Sequence, residues 1–315
     1  YKTIADQIIN RKSTWNKFTS GLWRFAIGLS KKVLLANNLA LVVDNIYKLT
    51  LTGAAKYSVP VSMAWLGSIA YTLQIYFDFS AYSDMAIVLG KMFGFEFDEN
   101  FNYPYISKSI GEFWRRWHIS LGTWFKEYVY FPLGGSRVKN KDKMVRNILI
   151  VWALTGIWHG AYWTFIFWGL FNFILLLTER IFNFEKIKGH DGLKHAYALI
   201  MLNFGWVIFR ADNLIELRDY IGNMFGMNGN AFYSPTVGMF IREYGIVFLA
   251  SIVLSLPVYP LLKKKMAEYS AGTSSAKRIW SAGQVIASFG LLVCVSVSIL
   301  YIVRGGYNPF IYFNF

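Results

Sequence analysis

Two histidines in apolar surroundings are the residues of this sequence best suited to chemistry. His159 lies in Thr155-Gly156-Ile157-Trp158-His159-Gly160-Ala161-Tyr162-Trp163, inside the long apolar run from Asn147 to Leu177. Ionisable groups at membrane depth are costly and gather where a membrane protein binds or reacts. An imidazole titrates near neutrality, with an ordinary pKa of about 6.5. A largely neutral ring can therefore take the proton from a hydroxyl as it attacks an acyl carbon. The plainer role for His159 is helix-packing glue. Gly156 and Gly160 have the small-residue spacing that lets helices approach closely, and the same spacing leaves room for a substrate beside the ring.

His118 stands in a different pattern. Ser109-Ile110-Gly111-Glu112 fits a capping box, with Ser109 as the cap and Glu112 reaching back. After it, Ile110, Phe113, Trp114, Trp117, Leu121, Trp124, Phe125 and Tyr128 recur at three- and four-residue steps. This period predicts one amphipathic helix, ended by Pro132 and Gly134-Gly135. His118 falls on its apolar stripe, so it is expected to be buried, either as a hydrogen-bonded core histidine or facing a polar cavity. Arg115, Arg116, Lys126 and Arg137 flank this segment. They suit lipid-headgroup anchors, or a site for the phosphates of coenzyme A, whose geometry arginine forks match.

Asp78 and Asp84, in Tyr76-Phe77-Asp78-Phe79-Ser80-Ala81-Tyr82-Ser83-Asp84, are also expensive at membrane depth. They either orient one of the two histidines or form structural ion pairs with arginine. His190 and His195, in or beside a charged loop, are expected to be solvated. No cluster has zinc-ligand spacing, and no Gly-x-Ser-x-Gly, P-loop or dinucleotide fingerprint is present.

The elements that must position these groups are membrane helices. Of 315 residues 55% are hydrophobic and only 16% charged, against roughly 25% charged in soluble domains. The 12 Trp and 20 Tyr suit membrane interfaces. Runs of about 20 apolar residues can span a bilayer core: Ser58–Phe77, Tyr244–Leu262, Ile279–Val303 and the shorter His195–Phe209. Asn147–Leu177 is too long for one span and predicts a broken or re-entrant pair. Gly21–Tyr47 carries Lys31, Lys32, Asn37, Asn38 and Asp44, and reads as interfacial or protein-buried helix rather than a lipid-facing span; Phe79–Phe97 is similarly mixed. Several such segments together predict an enclosed polar cavity.

The net charge of +14 is placed as positive-inside loops rather than as a nucleic-acid patch. Nine Lys or Arg lie between Lys108 and Arg146 and five between Lys263 and Arg278, which puts both segments in the cytoplasm. The single cysteine, Cys294, excludes an intrachain disulfide. Residues 1–315 are treated as one all-α membrane domain without internal repeats. Because it opens at Tyr1 in a polar stretch, an upstream part of a longer protein is expected.

Asn102-Tyr103-Pro104-Tyr105, Phe113-Trp114-Arg115-Arg116-Trp117-His118-Ile119-Ser120-Leu121 and Tyr130-Phe131-Pro132-Leu133-Gly134-Gly135 resemble the membrane-bound O-acyltransferase family, in its bacterial alginate O-acetyltransferase branch. Gly156-Ile157-Trp158-His159-Gly160 is similar to that family's second histidine motif, and Asp78 to Asp84, Gly205 to Ala211 and Gly306 to Phe310 are also similar. The resemblance implies helices, some broken or re-entrant, around a funnel through the bacterial cytoplasmic membrane. It implies that His159 is catalytic and His118 the second important histidine, with Trp117, Trp158, Asp78 and Asp84 in support. Acetyl-CoA is the implied acyl donor, with no bound cofactor or metal. A separate extracytoplasmic acyltransferase is the implied partner, and a polysaccharide the final acceptor. Further membrane segments are implied upstream. The rival readings are D-alanyl transfer from a carrier protein to teichoic acid, and a transporter or export subunit in which Asp and His relay protons.

Overall fold

The computed structural model describes residues 2–51, 59–135, 138, 140–270 and 274–307, and among these every regular element is helical. The helices are α1 (Lys2–Asn10), α2 (Trp15–Ser30), α3 (Asn37–Leu51), α4 (Val61–Met92), α5 (Ile110–Arg116), α6 (Ile119–Phe125) and α7 (Lys141–His159). They continue with α8 (Trp163–Ile181), α9 (Asp191–Arg210), α10 (Leu214–Met224), α11 (Pro235–Ser255), α12 (Val258–Ser270) and α13 (Ser274–Val303). A π-helical turn, Lys31–Ala36, joins α2 to α3 without a stop, and a second, Lys126–Tyr130, follows α6.

Among the described residues, five helical stretches are long and apolar enough to cross a membrane: Trp15–Leu49, α8, α9, α11 and Lys277–Val303. Three of the expected spans are thus found, with Tyr244–Leu262 displaced to α11, which ends at Ser255, and the expected broken pair is α7 and α8. Two expectations change. Ser58–Phe77 falls largely on α4, whose residues 70–81 are buried apart from half-buried Thr72, so the middle of this helix is enclosed by protein. Its Gln74, Asp78 and Ser80 explain why it fails as a lipid-facing span. The segment around Gly21–Tyr47, read as interfacial or protein-buried, is instead part of a 35-residue helical stretch that qualifies as a span while half of its most apolar window is buried.

The reason for the second change is charge pairing. The chain forms two compact units, each discontinuous in sequence: residues 1–39, 73–98 and 246–311, and residues 40–72, 99–245 and 312–315. In the first unit, Arg24 donates to Asp84 Oδ1 through Nε and Nη2 at 2.8 and 2.6 Å, and Lys31 donates to Asp84 Oδ2 at 2.8 Å. Lys32 pairs with Asp78 at 2.5 Å. Asp78 and Asp84 therefore form ion pairs, and the charges that argued against a span are matched inside the protein. Gly28 lets α2 approach closely, since a Cβ there would stand 3.0 Å from the Ala81 carbonyl oxygen.

The second unit is built on a hairpin of α7 and α8. A Cβ on Gly169 would lie 2.5 Å from the Trp152 carbonyl oxygen, and one on Gly156 would lie 2.6 Å from that of Phe165. Only hydrogen fits at either place, so the two backbones touch. Elsewhere in this unit Tyr47 stacks on Tyr220 at 4.2 Å, and the Tyr220 hydroxyl donates to the Ala64 carbonyl at 2.8 Å. Arg210, at the end of α9, pairs with Asp44 of α3 at 3.2 Å and lies over the Tyr47 ring.

Gly169→Ala is expected to overpack the hairpin by about 1–3 kcal/mol. In detergent solution its melting temperature should fall by several degrees, whereas Gly290→Ala, with nothing within 4 Å, should leave it unchanged. Equal behaviour of the two variants would contradict the glycine contact.

Candidate active site

The segment carrying His118 begins as its sequence predicts and then departs from it. Ser109 Oγ accepts from the Glu112 N–H at 2.9 Å, closing one half of the capping box. Glu112 reaches back one residue further than expected, accepting from the Lys108 N–H at 2.9 Å. The carboxylate of Glu179, on α8, accepts from the N–H groups of Ile110 and Gly111 at 2.6 and 2.9 Å. The first donors of α5, which have no intrahelical partner, are thereby tied to the hairpin.

The single amphipathic helix expected from residue 110 onward is broken. α5 ends at Arg116, Trp117 is extended, and His118 takes a left-handed backbone with φ 46° and ψ 53° before α6 starts. The cause is a clamp from residues 100–102. Asn102 N–H donates to the Arg116 carbonyl at 2.9 Å, and Ile119 N–H donates to the Asn100 carbonyl at 3.0 Å. Ser120 N–H donates to Asn100 Oδ1 at 3.1 Å. Backbone groups that would have continued the helix are used outside it. His118 is half-buried, with Nδ1 3.3 Å from Asn100 Oδ1. Burial holds its pKa down, to about 4, so the ring is neutral at physiological pH.

His159 is the last residue of α7 and is 7% exposed. Gly160, at φ 147°, turns the chain there. The imidazole sits in an aromatic cage, with ring centroids 4.9 Å from Trp158, 5.0 Å from Trp168, 5.1 Å from Phe209 and 6.2 Å from Phe165. Trp158 is 54% exposed and also lies 6.3 Å from the His118 ring. Trp158 thus stands against both imidazole rings. Gly156 serves close helix contact, and its missing side chain is filled by the Phe165 backbone.

Behind the two rings stands a wall of indoles. Trp117 is 3% exposed and packs 4.9 Å from Trp206 and 5.4 Å from Phe113. Trp114 donates its Nε1–H to Asn172 Oδ1 at 3.0 Å and lies 4.9 Å from Trp152. Asn100, Asn172, Glu179, Trp168 and Phe209 were not singled out from sequence. Asn172 and Glu179 carried a legible signal, since both interrupt the apolar run of α8 in the way His159 interrupts its own.

The cations expected to meet coenzyme A are more dispersed. Arg115 is largely exposed and pairs with Glu185 at 2.7 Å. Arg116 pairs with Glu112 at 2.9 Å and donates to the Asn102 carbonyl at 3.2 Å. Lys126 is exposed, with Nζ 5.5 Å over the Phe131 ring. Arg137 lies outside the described residues. His190 is exposed, but His195, expected to be solvated, is half-buried with Nε2 2.8 Å from the Tyr105 carbonyl oxygen. Its place one turn into α9 turns the ring onto the protein. Among the described residues no three His, Cys, Asp or Glu side chains are grouped to hold a metal ion.

Comparison with known proteins places this arrangement. Residues 1–185 match the model of the membrane-bound O-acyltransferase family, MBOAT. The chain is 38% identical to the probable alginate O-acetylase AlgI of Pseudomonas putida, an alignment covering all of this chain and 65% of that protein. It is 34% identical to the peptidoglycan O-acetyltransferase of Helicobacter pylori, over 97% of this chain and 58% of that protein. Similarity to the teichoic acid D-alanyltransferase of Bacillus subtilis is 31% identity, over 52% of this chain and 40% of that protein. The chain thus spans 65% of the Pseudomonas putida relative and less of the other two.

Glu179→Ala should strand the Ile110 and Gly111 N–H groups, costing about 1–3 kcal/mol and loosening α5. The melting temperature should fall, and Glu179→Gln, which keeps one carbonyl oxygen, should fall less. A Glu179→Ala protein as stable as the wild type would show that α5 is not anchored in this way.

Proposed function

The chain belongs to the membrane-bound O-acyltransferase family as a multi-pass helical protein of the cytoplasmic membrane, and from that premise we propose that it carries the catalytic part of an enzyme that O-acetylates an extracytoplasmic polysaccharide. The observation that carries the reading is the pairing of two histidines, one buried in an aromatic cage and one held at a helix break, joined by Trp158. The relatives aligned over nearly the whole chain are named for O-acetylation, whereas the D-alanyltransferase aligns over half of it.

Acetyl-CoA is the donor. His159 acts as general base: the acceptor hydroxyl oxygen attacks the acetyl carbonyl carbon and its proton passes to the imidazole. The C–S bond breaks, and the coenzyme A thiolate leaves with a proton returned from the site. His118 either holds the acetyl carbonyl or assists the movement of the proton. The aromatic cage keeps bulk water from the thioester, which would otherwise be hydrolysed. Positive residues from Lys108 to Arg146 favour the cytoplasmic side. Arg115, exposed and paired only at the surface with Glu185, can exchange that carboxylate for a donor phosphate. Arg116, Lys126 and Arg137 add positive charge to the same basic segment. An extracytoplasmic acyltransferase passes the acetyl group to the polymer, alginate-like exopolysaccharide, cellulose or peptidoglycan.

The test uses the full-length protein in lipid nanodiscs with radiolabelled acetyl-CoA. His159→Ala should reduce release of free coenzyme A by about 10²–10⁴-fold, the usual worth of a general base, while eluting as a folded protein. Release undiminished in His159→Ala would falsify the assignment. No release by the wild type, even with partner and polymer supplied, would favour a transporter or a carrier-bound donor.

A further inference from the structure

The break between α5 and α6 holds His118 at φ 46°, ψ 53°, a left-handed backbone that a residue with a Cβ rarely adopts. It persists only where the surroundings impose it, and here Asn102 and above all Asn100 impose it. Asn100 offers its carbonyl oxygen to the Ile119 N–H at 3.0 Å. Its Oδ1 accepts from the Ser120 N–H at 3.1 Å and from Ser120 Oγ at 3.0 Å, and lies 3.3 Å from His118 Nδ1.

These contacts decide where the histidine proton sits. The two ends of an asparagine amide are told apart by their hydrogen bonds rather than by shape. A backbone N–H only donates, so the atom meeting the Ser120 N–H is the carbonyl oxygen. That oxygen only accepts, so the nitrogen facing it carries a hydrogen. A neutral imidazole has a single N–H, and its Nε2 then bears the lone pair. The ring is neutral because burial depresses its pKa to about 4. Asn100 and Ser120 face the ring from the flanking chain, and Trp158 and His159 from α7; His159 is the titratable member of this set.

We infer that Asn100 is a positioning residue that fixes His118 as its Nδ1–H tautomer, so that His118 acts through Nε2 as a proton acceptor and not as a donor to the acetyl carbonyl. The inference rests on the acyl-transfer reading above and decides between the two roles left to His118 there. A proton taken from the acceptor hydroxyl by His159 is received at His118 Nε2. It is given up to the coenzyme A thiolate as the C–S bond breaks, so the site ends with the protons it began with. The transient imidazolium keeps its Nδ1–H bond to Asn100 throughout.

The first arm of the test does not depend on turnover. The full-length protein labelled with ¹⁵N-histidine in nanodiscs gives a spectrum in which His118 is identified by its loss in His118→Gln. The wild type should show His118 protonated at Nδ1. Protonation at Nε2 would overturn the inference whatever the enzyme does. In the second arm, Asn100→Asp keeps the acceptor and adds a charge that favours the imidazolium. Its kcat should exceed that of Asn100→Ala at alkaline pH and fall at a higher pH than the wild type's does, with KM little changed. Asn100→Ala should lose about 10²-fold in kcat. Equal loss in both variants at every pH would reduce Asn100 to scaffold and overturn its assigned role. A wild type that transfers no acetyl group would sink the acyl-transfer reading while the spectrum still decided the tautomer.

Discussion

Backbone meets backbone where α7 crosses α8, and the rest of the candidate site hangs on that contact. Gly156 and Gly169 leave no space for a side chain between the helices. Their approach fixes the hairpin tip and so the position of His159 at the end of α7. It also sets the register of α8, which carries Trp168 to the His159 ring, Asn172 to the Trp114 indole and Glu179 to the start of α5. α5 in turn leads into the break that presents His118. Both histidines are thus referred to one hairpin, although 41 positions separate them in the sequence. Small residues serve this purpose in membranes because helix association there depends on close packing rather than on escape from water.

Charge is the second constraint. An unmatched ion in a low-dielectric setting is expensive, and pairing is the usual remedy. Arg24 and Lys31 share Asp84, Lys32 takes Asp78, and Arg210 takes Asp44. The acids that the sequence offered to the histidines are taken by lysines and arginines. The two imidazoles instead meet aromatic edges and the neutral amide of Asn100. A neutral histidine suits such a place, because burial without a compensating carboxylate favours the uncharged ring.

Much of this was legible in the residues. Apolar runs foretold α9, α11 and α13, and the interruption at His159 and its glycines foretold the α7–α8 break. The features that escaped are set by partners distant in sequence. Lys31 and Lys32 argued against a span because Asp84 and Asp78 lie about fifty positions away. The helix break at His118 is invisible to periodicity, since Phe113, Trp117 and Leu121 stay in phase across it. It arises from Asn100 and Asn102, which carry no periodic signal at all. The polar residues Asn172 and Glu179 could have been found by applying to α8 the argument used for His159.

The central claim is that the transferred acyl group is handled between His159 and His118. The most direct measurement is a structure of the full-length protein in lipid with a non-hydrolysable acetyl-CoA analogue. The account predicts the acyl group seated beside Trp158 between the two imidazoles, with the phosphates toward Arg115. An analogue bound elsewhere, with the rings of Trp158, Trp168 and Phe209 still closed around an unengaged His159, would contradict it.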